Sequence, residues 1–398
     1  MTTVDNSRLS HLREEFERHF GSGAAGRTRV VRAPGRVNLI GEHTDYNGGF
    51  VLPVAIDRDV LMIGRRRSDG QIRLYSLDYQ EEASSPVDAL DRRARPTWSR
   101  YVYGVVWALQ ERGIEVGGFE AALTGNVPQG AGLSSSAALE VATALLLQAL
   151  FSFSMEGPEM ALLCQRAENR FVGVNCGIMD QFISRLGKQG TALLLDCRSL
   201  EHRWVPLPGD KFRIVIANTA VARELVDSAY NERRAQCEEG VRILQQFEPG
   251  VRELRDVTPS LFERFRDRLP EPVRRRVEHV VKENERVLQA VAALEQADWE
   301  RFGHLLNASH ASLRDLFEVS APGLDLMVEL ARRVPGVLGS RMTGAGFGGC
   351  TVSLVHAEAV PQFLAQVLPA YREQATWALS GEPEVYVCQA ADGARILE

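Results

Sequence analysis

The chain of 398 residues carries only 6 cysteines, at positions 164, 176, 197, 237, 350 and 388, and none sits in a Cys-x-x-Cys or Cys/His spacing. That scatter argues against a disulfide framework and against a zinc site. No uninterrupted apolar run reaches membrane-spanning length, and the first residues, Met1 to Arg8, lack the apolar stretch of a secretory leader. A cytoplasmic, thiol-reduced protein that does not engage a membrane is expected. There is no excess of positive charge either. With a net charge of -6, no general nucleic-acid surface is expected, and any anionic ligand must be held by local donors. The short clusters Arg65-Arg66-Arg67 and Arg274-Arg275-Arg276 have no aromatic platform beside them and read as solvated faces.

What is present is ordinary for a globular protein: 45% hydrophobic and 25% charged residues. The length exceeds what one core sustains, so two domains with a cleft between them are expected, 1–205 and 206–398. Residues 6 to 20 read as an amphipathic helix. Strand patterns lie near 29 to 40, 50 to 65, 71 to 77 and 119 to 125, with a helix from Ser99 to Arg112 and a buried helix ending near Leu150. The polar, proline-bearing stretch from Asp196 to Asp210 is expected to join the halves. A strand over Phe212–Ala217, helices through Arg223–Arg333, two strands within Gly339–Leu354, a helix over 357–373 and a strand near Glu384–Gln389 complete an α+β chain.

Three segments carry chemistry. Arg36-Val-Asn-Leu-Ile-Gly-Glu-His-Thr-Asp-Tyr-Asn-Gly-Gly49 follows an alternating strand and gathers Arg36, Glu42, His43 and Asp45, groups that can hold the hydroxyls of a polyol or form a surface salt bridge. Pro128-Gln-Gly-Ala-Gly-Leu-Ser-Ser-Ser-Ala137 joins a strand to a helix. Its small residues leave the first backbone N–H groups of that helix uncovered, which suits a phosphate, although a serine-capped helix start reads the same way. It is neither a GxxxxGK[ST] loop nor a GxGxxG fingerprint. Met342-Thr-Gly-Ala-Gly-Phe-Gly-Gly-Cys350 is a second glycine loop or a tight hairpin. Two such loops far apart in sequence suggest a site built from both halves. Glu168 and Asp180 stand in apolar surroundings, where a carboxylate needs a partner; Arg36 can pair with Asp180, and Glu168 with a serine hydroxyl can ligate Mg²⁺.

These segments resemble the galactokinase family of the GHMP small-molecule kinases, the first motif resembling the galactokinase branch itself. Asn175-Cys-Gly-Ile-Met-Asp-Gln-Phe182, Ser228-Ala-Tyr-Asn-Glu-Arg-Arg234 and Ser309-His-Ala-Ser-Leu-Arg314 are similar to further family segments. The resemblance implies a ribosomal S5 domain 2-like N-terminal domain and a ferredoxin-like C-terminal domain. It implies that ATP and Mg²⁺ serve the transfer of a phosphoryl group to the C1 hydroxyl of galactose, in a monomer. It assigns Glu42, His43, Thr44, Asp45, Gly177 and Tyr230 to the sugar, with Asp180 facing the anomeric hydroxyl and Arg36 beside it. Gly130, Ala131, Gly132, Leu133, Ser134, Ser135 and Ser136 are assigned to the ATP phosphates, Ser136 and Glu168 to Mg²⁺, and Ser76, Trp98 and Tyr101 to the nucleoside. Asn126 stands where the family often has Asp, and Leu316-Phe317 where Asp-Tyr is usual. A sugar sensor without turnover, and a kinase for N-acetylgalactosamine, arabinose or another alcohol, are the alternatives. The intact Ser134-Ser-Ser-Ala-Ala138 run, with Arg36, Glu168 and Asp180, favours an enzyme.

Overall fold

The computed structural model describes residues 5–22, 27–128, 132–221 and 226–398. Gly130 and Ala131 lie outside the described residues. Helix α1 (Asn6–Phe20) starts at Asp5, whose carboxylate accepts from the Ser7 N–H, and its buried residues are Leu12 and Phe16. Strands β1 (Arg29–Asn38), β2 (Phe50–Val51), β3 (Pro53–Arg66), β4 (Gln71–Ser76) and β5 (Glu81–Pro86) follow. Then come α2 (Ser99–Gln110), β6 (Phe119–Gly125), α3 (Ser135–Phe151), α4 (Gly157–Ala167) and α5 (Met179–Leu186). β7 (Thr191–Asp196), β8 (His202–Pro206) and β9 (Phe212–Asn218) lead into α6 (Val226–Gln245), α7 (Pro259–Phe265), α8 (Val273–Glu295), α9 (Trp299–Ser312) and α10 (Pro322–Arg332). β10 (Val337–Met342), β11 (Cys350–His356), α11 (Val360–Gln374), β12 (Glu384–Cys388) and β13 (Arg395–Ile396) close the chain.

The strands form sheets in the orders β13-β1-β3-β6-β4-β5, β10-β11-β9-β12 and β2-β7-β8. Every pairing is antiparallel except that of β4 with β6. Helix α3 is Ala- and Leu-rich and buried on nearly all sides, which fits its seat between β1 and β3 of the first sheet and helices α2, α4 and α5. Each wholly buried leucine there, such as Leu146 or Leu147, stabilises the fold by about 1.5–3 kcal/mol. The second sheet is covered by α9, α10 and α11. One apolar cluster joins Leu39 and Ile40, just past β1, to Val287 of α8, Phe302 of α9 and Val352 of β11, so the signature segment is anchored on both halves of the chain.

Two expectations need correction. The stretch from Asp196 to Asp210 is not a bare connection: β8 lies inside it and pairs with β7, because His202, Trp204 and Val205 give it enough ring and branched surface to lie on a sheet. The basic clusters are not solvated faces throughout. Arg65 is buried and faces Glu120 across β3 and β6, with its Nε 2.6 Å from that carboxylate and its guanidinium over the Phe16 ring. Arg276 is buried too, donating to Gln236 and Glu318. The strand at Glu384–Cys388 stays in the second sheet beside β9, whereas β13 returns to pair with β1 in the first.

A solvated arginine is replaceable within about 0.5 kcal/mol, but one removed from a buried ion pair leaves a charge behind. Arg65→Ala is expected to lower stability by about 3 kcal/mol, read from urea unfolding; a change below about 0.5 kcal/mol would restore the solvated reading.

Candidate functional site

Beyond β1 the backbone turns back on itself. His43 takes a left-handed conformation with φ 64°, and the Asn47 side chain donates to the His43 carbonyl at 2.8 Å. The turn carries Glu42, His43 and Asp45 to the wall of a cavity of about 270 Å³, below the ~300–1,000 Å³ of sites for drug-sized ligands and in keeping with a small one. His43 Nδ1 lies 2.9 Å from the Tyr46 hydroxyl. Burial, then the nearby His279, lower its pKa to about 3, so the ring is neutral at physiological pH. The Asp45 carboxylate packs on Gly177: a Cβ there would stand 1.7 Å from Asp45 Oδ2, so only glycine lets the two segments meet. Burial, then the Asp180 carboxylate, push the Asp45 pKa up to about 6.

On the far wall Asp180, in the first turn of α5, receives Arg36 in a two-pronged pair, Nε to Oδ1 at 2.7 Å and Nη2 to Oδ2 at 2.6 Å. The remaining nitrogen, Nη1, donates to the Gly132 carbonyl at 2.6 Å, and the Ser134 hydroxyl donates to Asp180 Oδ2. Ser134 precedes α3 but makes no side-chain capping bond, so its hydroxyl does not satisfy the helix's first N–H groups. The simple serine-cap reading of this loop therefore fails. Glu168 lies 5% exposed at the start of a π-helical turn, bonded to the Cys176 thiol and Gln181, with the Ser136 hydroxyl near enough to favour its charged form. Burial raises its pKa, and among the described residues no basic side chain forms an ion pair with it. A buried carboxylate beside a hydroxyl, with no ion pair of its own among the described residues, offers with it two fitting oxygen ligands for a hard divalent ion.

The second half closes the cavity. Glu42 forms a buried ion pair with Arg341 at the end of β10 and accepts from Thr343 Oγ1 and the Gly344 N–H, each at 3.1 Å. The Glu42 carbonyl lies 3.2 Å from His279 Nε2, and the Gly41 N–H donates to Glu283 at 3.0 Å, both acceptor and donor groups being met by α8. Gly344, at φ 81°, brings the second glycine loop against the first, with a virtual Cβ 3.4 Å from the Gly132 carbonyl oxygen. Tyr230 of α6 completes the wall, its ring 5.8 Å from His43 and 5.4 Å from Tyr46.

Arg36, Glu42, His43, Asp45, Gly177, Asp180, Glu168 and Tyr230 thus come together in one cavity. Thr44 does not join them; it is wholly buried, and its hydroxyl lies 2.6 Å from the Phe50 carbonyl oxygen and 2.8 Å from that of Gly41. An adjoining cavity of about 470 Å³ is lined by Trp98, Tyr101, Ser135 and Ser136, with Val174 shared between the two. Gly132 and Leu133 lie between, their carbonyls taken by Arg36. Ser76 is buried outside both linings. The sequence reading missed Tyr46, Cys176 and Asn231 on the wall, and Arg341, His279 and Glu283 behind it. Arg341, a charge inside the apolar strand before the second glycine loop, was the one visible signal. Asn126 accepts from the Asp59 N–H, away from the cavity, but Phe317 stands directly behind His43, with 4.6 Å between the rings.

Residues 14–66 match the galactokinase galactose-binding signature, 100–188 the GHMP kinases N terminal domain and 290–372 the GHMP kinases C terminal domain. The chain is 49% identical to a galactokinase of Roseiflexus sp. (strain RS-1) over 96% of its own length and 95% of that protein's. The chain belongs to the galactokinase family. A galactokinase of Chloroflexus aggregans (strain MD-66 / DSM 9485) is 47% identical over 91% of this chain and 92% of its own. The crystal structure of Lactococcus lactis galactokinase complexed with galactose superposes with a TM-score of 0.91 at 37% identity, covering 98% of this chain and 99% of that one. The fold is that of the galactokinase family, α+β as expected.

The raised pKa of Asp45 has a signed consequence. In the folded chain the proton is held more tightly than at the ordinary value of 3.8, so the stability this carboxyl contributes is present below that value and is lost as pH rises through about 6. Asp45→Asn, neutral at every pH, is expected to stabilise the protein at pH 8 by roughly 1–3 kcal/mol, an advantage that disappears below about pH 4. Urea unfolding across that range measures it; an advantage independent of pH would contradict the assignment.

Proposed function

We propose that this chain transfers the γ-phosphoryl group of ATP to the C1 hydroxyl of α-D-galactose, giving galactose 1-phosphate and ADP. The observation that carries the reading is Asp180, held by both prongs of Arg36 between the Asp45–Gly177 wall and the Gly132–Ser134 loop. Phosphoryl transfer asks for an aligned hydroxyl and for neutralised charge more than for covalent help from the protein. Glu42, neutral His43, Asp45, the Gly177 backbone and Tyr230 offer the sugar both donors and acceptors. Asp180 keeps one lone pair free after Arg36 and Ser134 are satisfied, so it can take the proton of the attacking hydroxyl or orient it. Arg36, locked in place, sets Asp180 and offers fixed positive charge beside the transferring group.

The uncapped start of α3 with Ser134, Ser135 and Ser136 suits the ATP phosphates, and the wall of Trp98 and Tyr101 suits the nucleoside. Ser136 and Glu168 would hold Mg²⁺, which when bound neutralises phosphate charge. Among the described residues no cluster of three acidic, histidine or cysteine side chains is arranged for a metal, in keeping with an ion that takes most of its ligands from phosphate and water. We place the division between the two domains near residue 205, at the end of β8. The reaction is assigned to the cytoplasm, where ATP is supplied and the six thiols, none joined in a disulfide, stay reduced.

A coupled assay for ADP release with a panel of sugars tests the reading: turnover is expected with galactose, and its absence with galactose would overturn it. Asp180→Asn is expected to lower kcat by about 10²–10⁴-fold with galactose affinity retained, and parental turnover would remove Asp180 from the chemistry. Asp45→Ala is expected mainly to raise KM for galactose by about 10–100-fold, the scale of one or two charge-assisted hydrogen bonds. Arg36→Ala should instead depress kcat, and the same kinetic defect from both variants would refute the division of roles.

A further inference from the structure

Gln181 follows Asp180 on α5, is wholly buried, and has no part in the chemistry proposed above. Its Nε2 lies 2.6 Å from Glu168 Oε2 and 3.0 Å from Glu140 Oε2. An amide nitrogen carries two hydrogens, so both bonds form together. The reverse orientation would set the amide oxygen against two carboxyl groups, with nothing to donate. Glu140 comes from α3, one turn beyond Ser136 and on the same face of that helix. Glu168 opens the turn after α4. A single amide therefore joins the elements that carry Ser136, Glu168 and Asp180.

Glu140 is wholly buried, and among the described residues no basic side chain forms an ion pair with it. Its Oε1 and the Oε1 of Gln181 are each buried without a hydrogen-bond partner. As two acceptors they cannot bond each other, but a proton on Glu140 Oε1 would donate to the amide oxygen while the amide N–H donates to Oε2. Such an acid–amide pair satisfies every polar atom of both groups. Burial, then the Glu168 carboxylate, favour that neutral acid.

We propose that Gln181 is a positioning residue for Glu168, anchored by a neutral Glu140, and that it keeps the Glu168 carboxylate turned toward the Ser136 hydroxyl for a divalent cation. The inference rests on the reading that Ser136 and Glu168 hold Mg²⁺. The partners of a metal's ligands fix ligand orientation, and their loss usually weakens metal binding by about 10–100-fold. Here the anchor serves a second end, since a neutral acid sets Gln181 without adding another negative charge beside Glu168.

Calorimetric titration of ADP at a series of Mg²⁺ concentrations, with galactose binding measured in parallel, tests the proposal without turnover. Gln181→Met is expected to reduce the Mg²⁺-dependent gain in ADP affinity by about 10–100-fold while galactose affinity stays within about threefold. Glu140→Leu is expected to behave like Gln181→Met, and Glu140→Gln, which can pair with the amide as the neutral acid does, to restore most of the gain. A parental gain in Gln181→Met, or in Gln181→Glu should the first variant fail to bind galactose, would overturn the positioning role. Equal damage from Glu140→Gln and Glu140→Leu would overturn the neutral anchor. Glu168→Gln separates the two readings: a parental gain there would sink the metal assignment itself, whereas a loss there with a parental Gln181→Met would sink only the present proposal.

Discussion

The pairing of Arg36 with Asp180 is the constraint on which the site depends. The two residues are 144 positions apart, and their planar groups meet through two parallel hydrogen bonds, an arrangement that fixes orientation as well as distance. The third guanidinium nitrogen reaches the Gly132 carbonyl, so one side chain relates the end of β1, the start of α5 and the loop before α3. Arg36 is nearly buried, and an uncompensated charge there would cost several kcal/mol. None of these three elements can shift without leaving it unpaired.

Around that pair the cavity is assembled from both halves of the chain, and its electrostatics follow from how they meet. Glu42, Asp45, Glu168 and Asp180 crowd carboxyl groups into one small volume. Arg36 and Arg341 compensate Asp180 and Glu42 directly, while Asp45 and Glu168 form no ion pair among the described residues, and burial raises the pKa of Glu42, Asp45 and Glu168 alike. Of the two without an ion pair, Asp45 is assigned to the sugar beside Glu42, and Glu168 to the metal. Stability is thus sacrificed where ligands bind, in keeping with the usual tension between a poised site and a stable one.

Much of this was legible before any coordinates. Alternation in β1, the length and Ala/Leu content of α3, and the glycines of both loops report local backbone demands, and such demands are written in consecutive residues. Arg36 with Asp180 could be paired on paper because buried charge requires a partner. Other features are written across the fold instead. That Thr44 turns inward to the Phe50 and Gly41 carbonyls depends on a single turn's geometry, and that Arg65 is buried depends on Glu120 standing opposite it. Glu283 and His279 look like ordinary charges on the long helix α8 until α8 is seen to lie under the turn at Gly41 and Glu42. Gln181 sits inside a recognisable segment, yet its role appears only once α3 brings Glu140 to its side.

If Arg36 and Asp180 act as one unit, their effects on turnover cannot be independent. A double-mutant cycle on kcat with galactose and ATP, using Arg36→Ala, Asp180→Asn and the double variant, measures this most directly. The double variant should turn over no more than about tenfold more slowly than the worse single variant. A loss equal to the product of the two single losses would mean that the residues contribute separately, and would contradict the account.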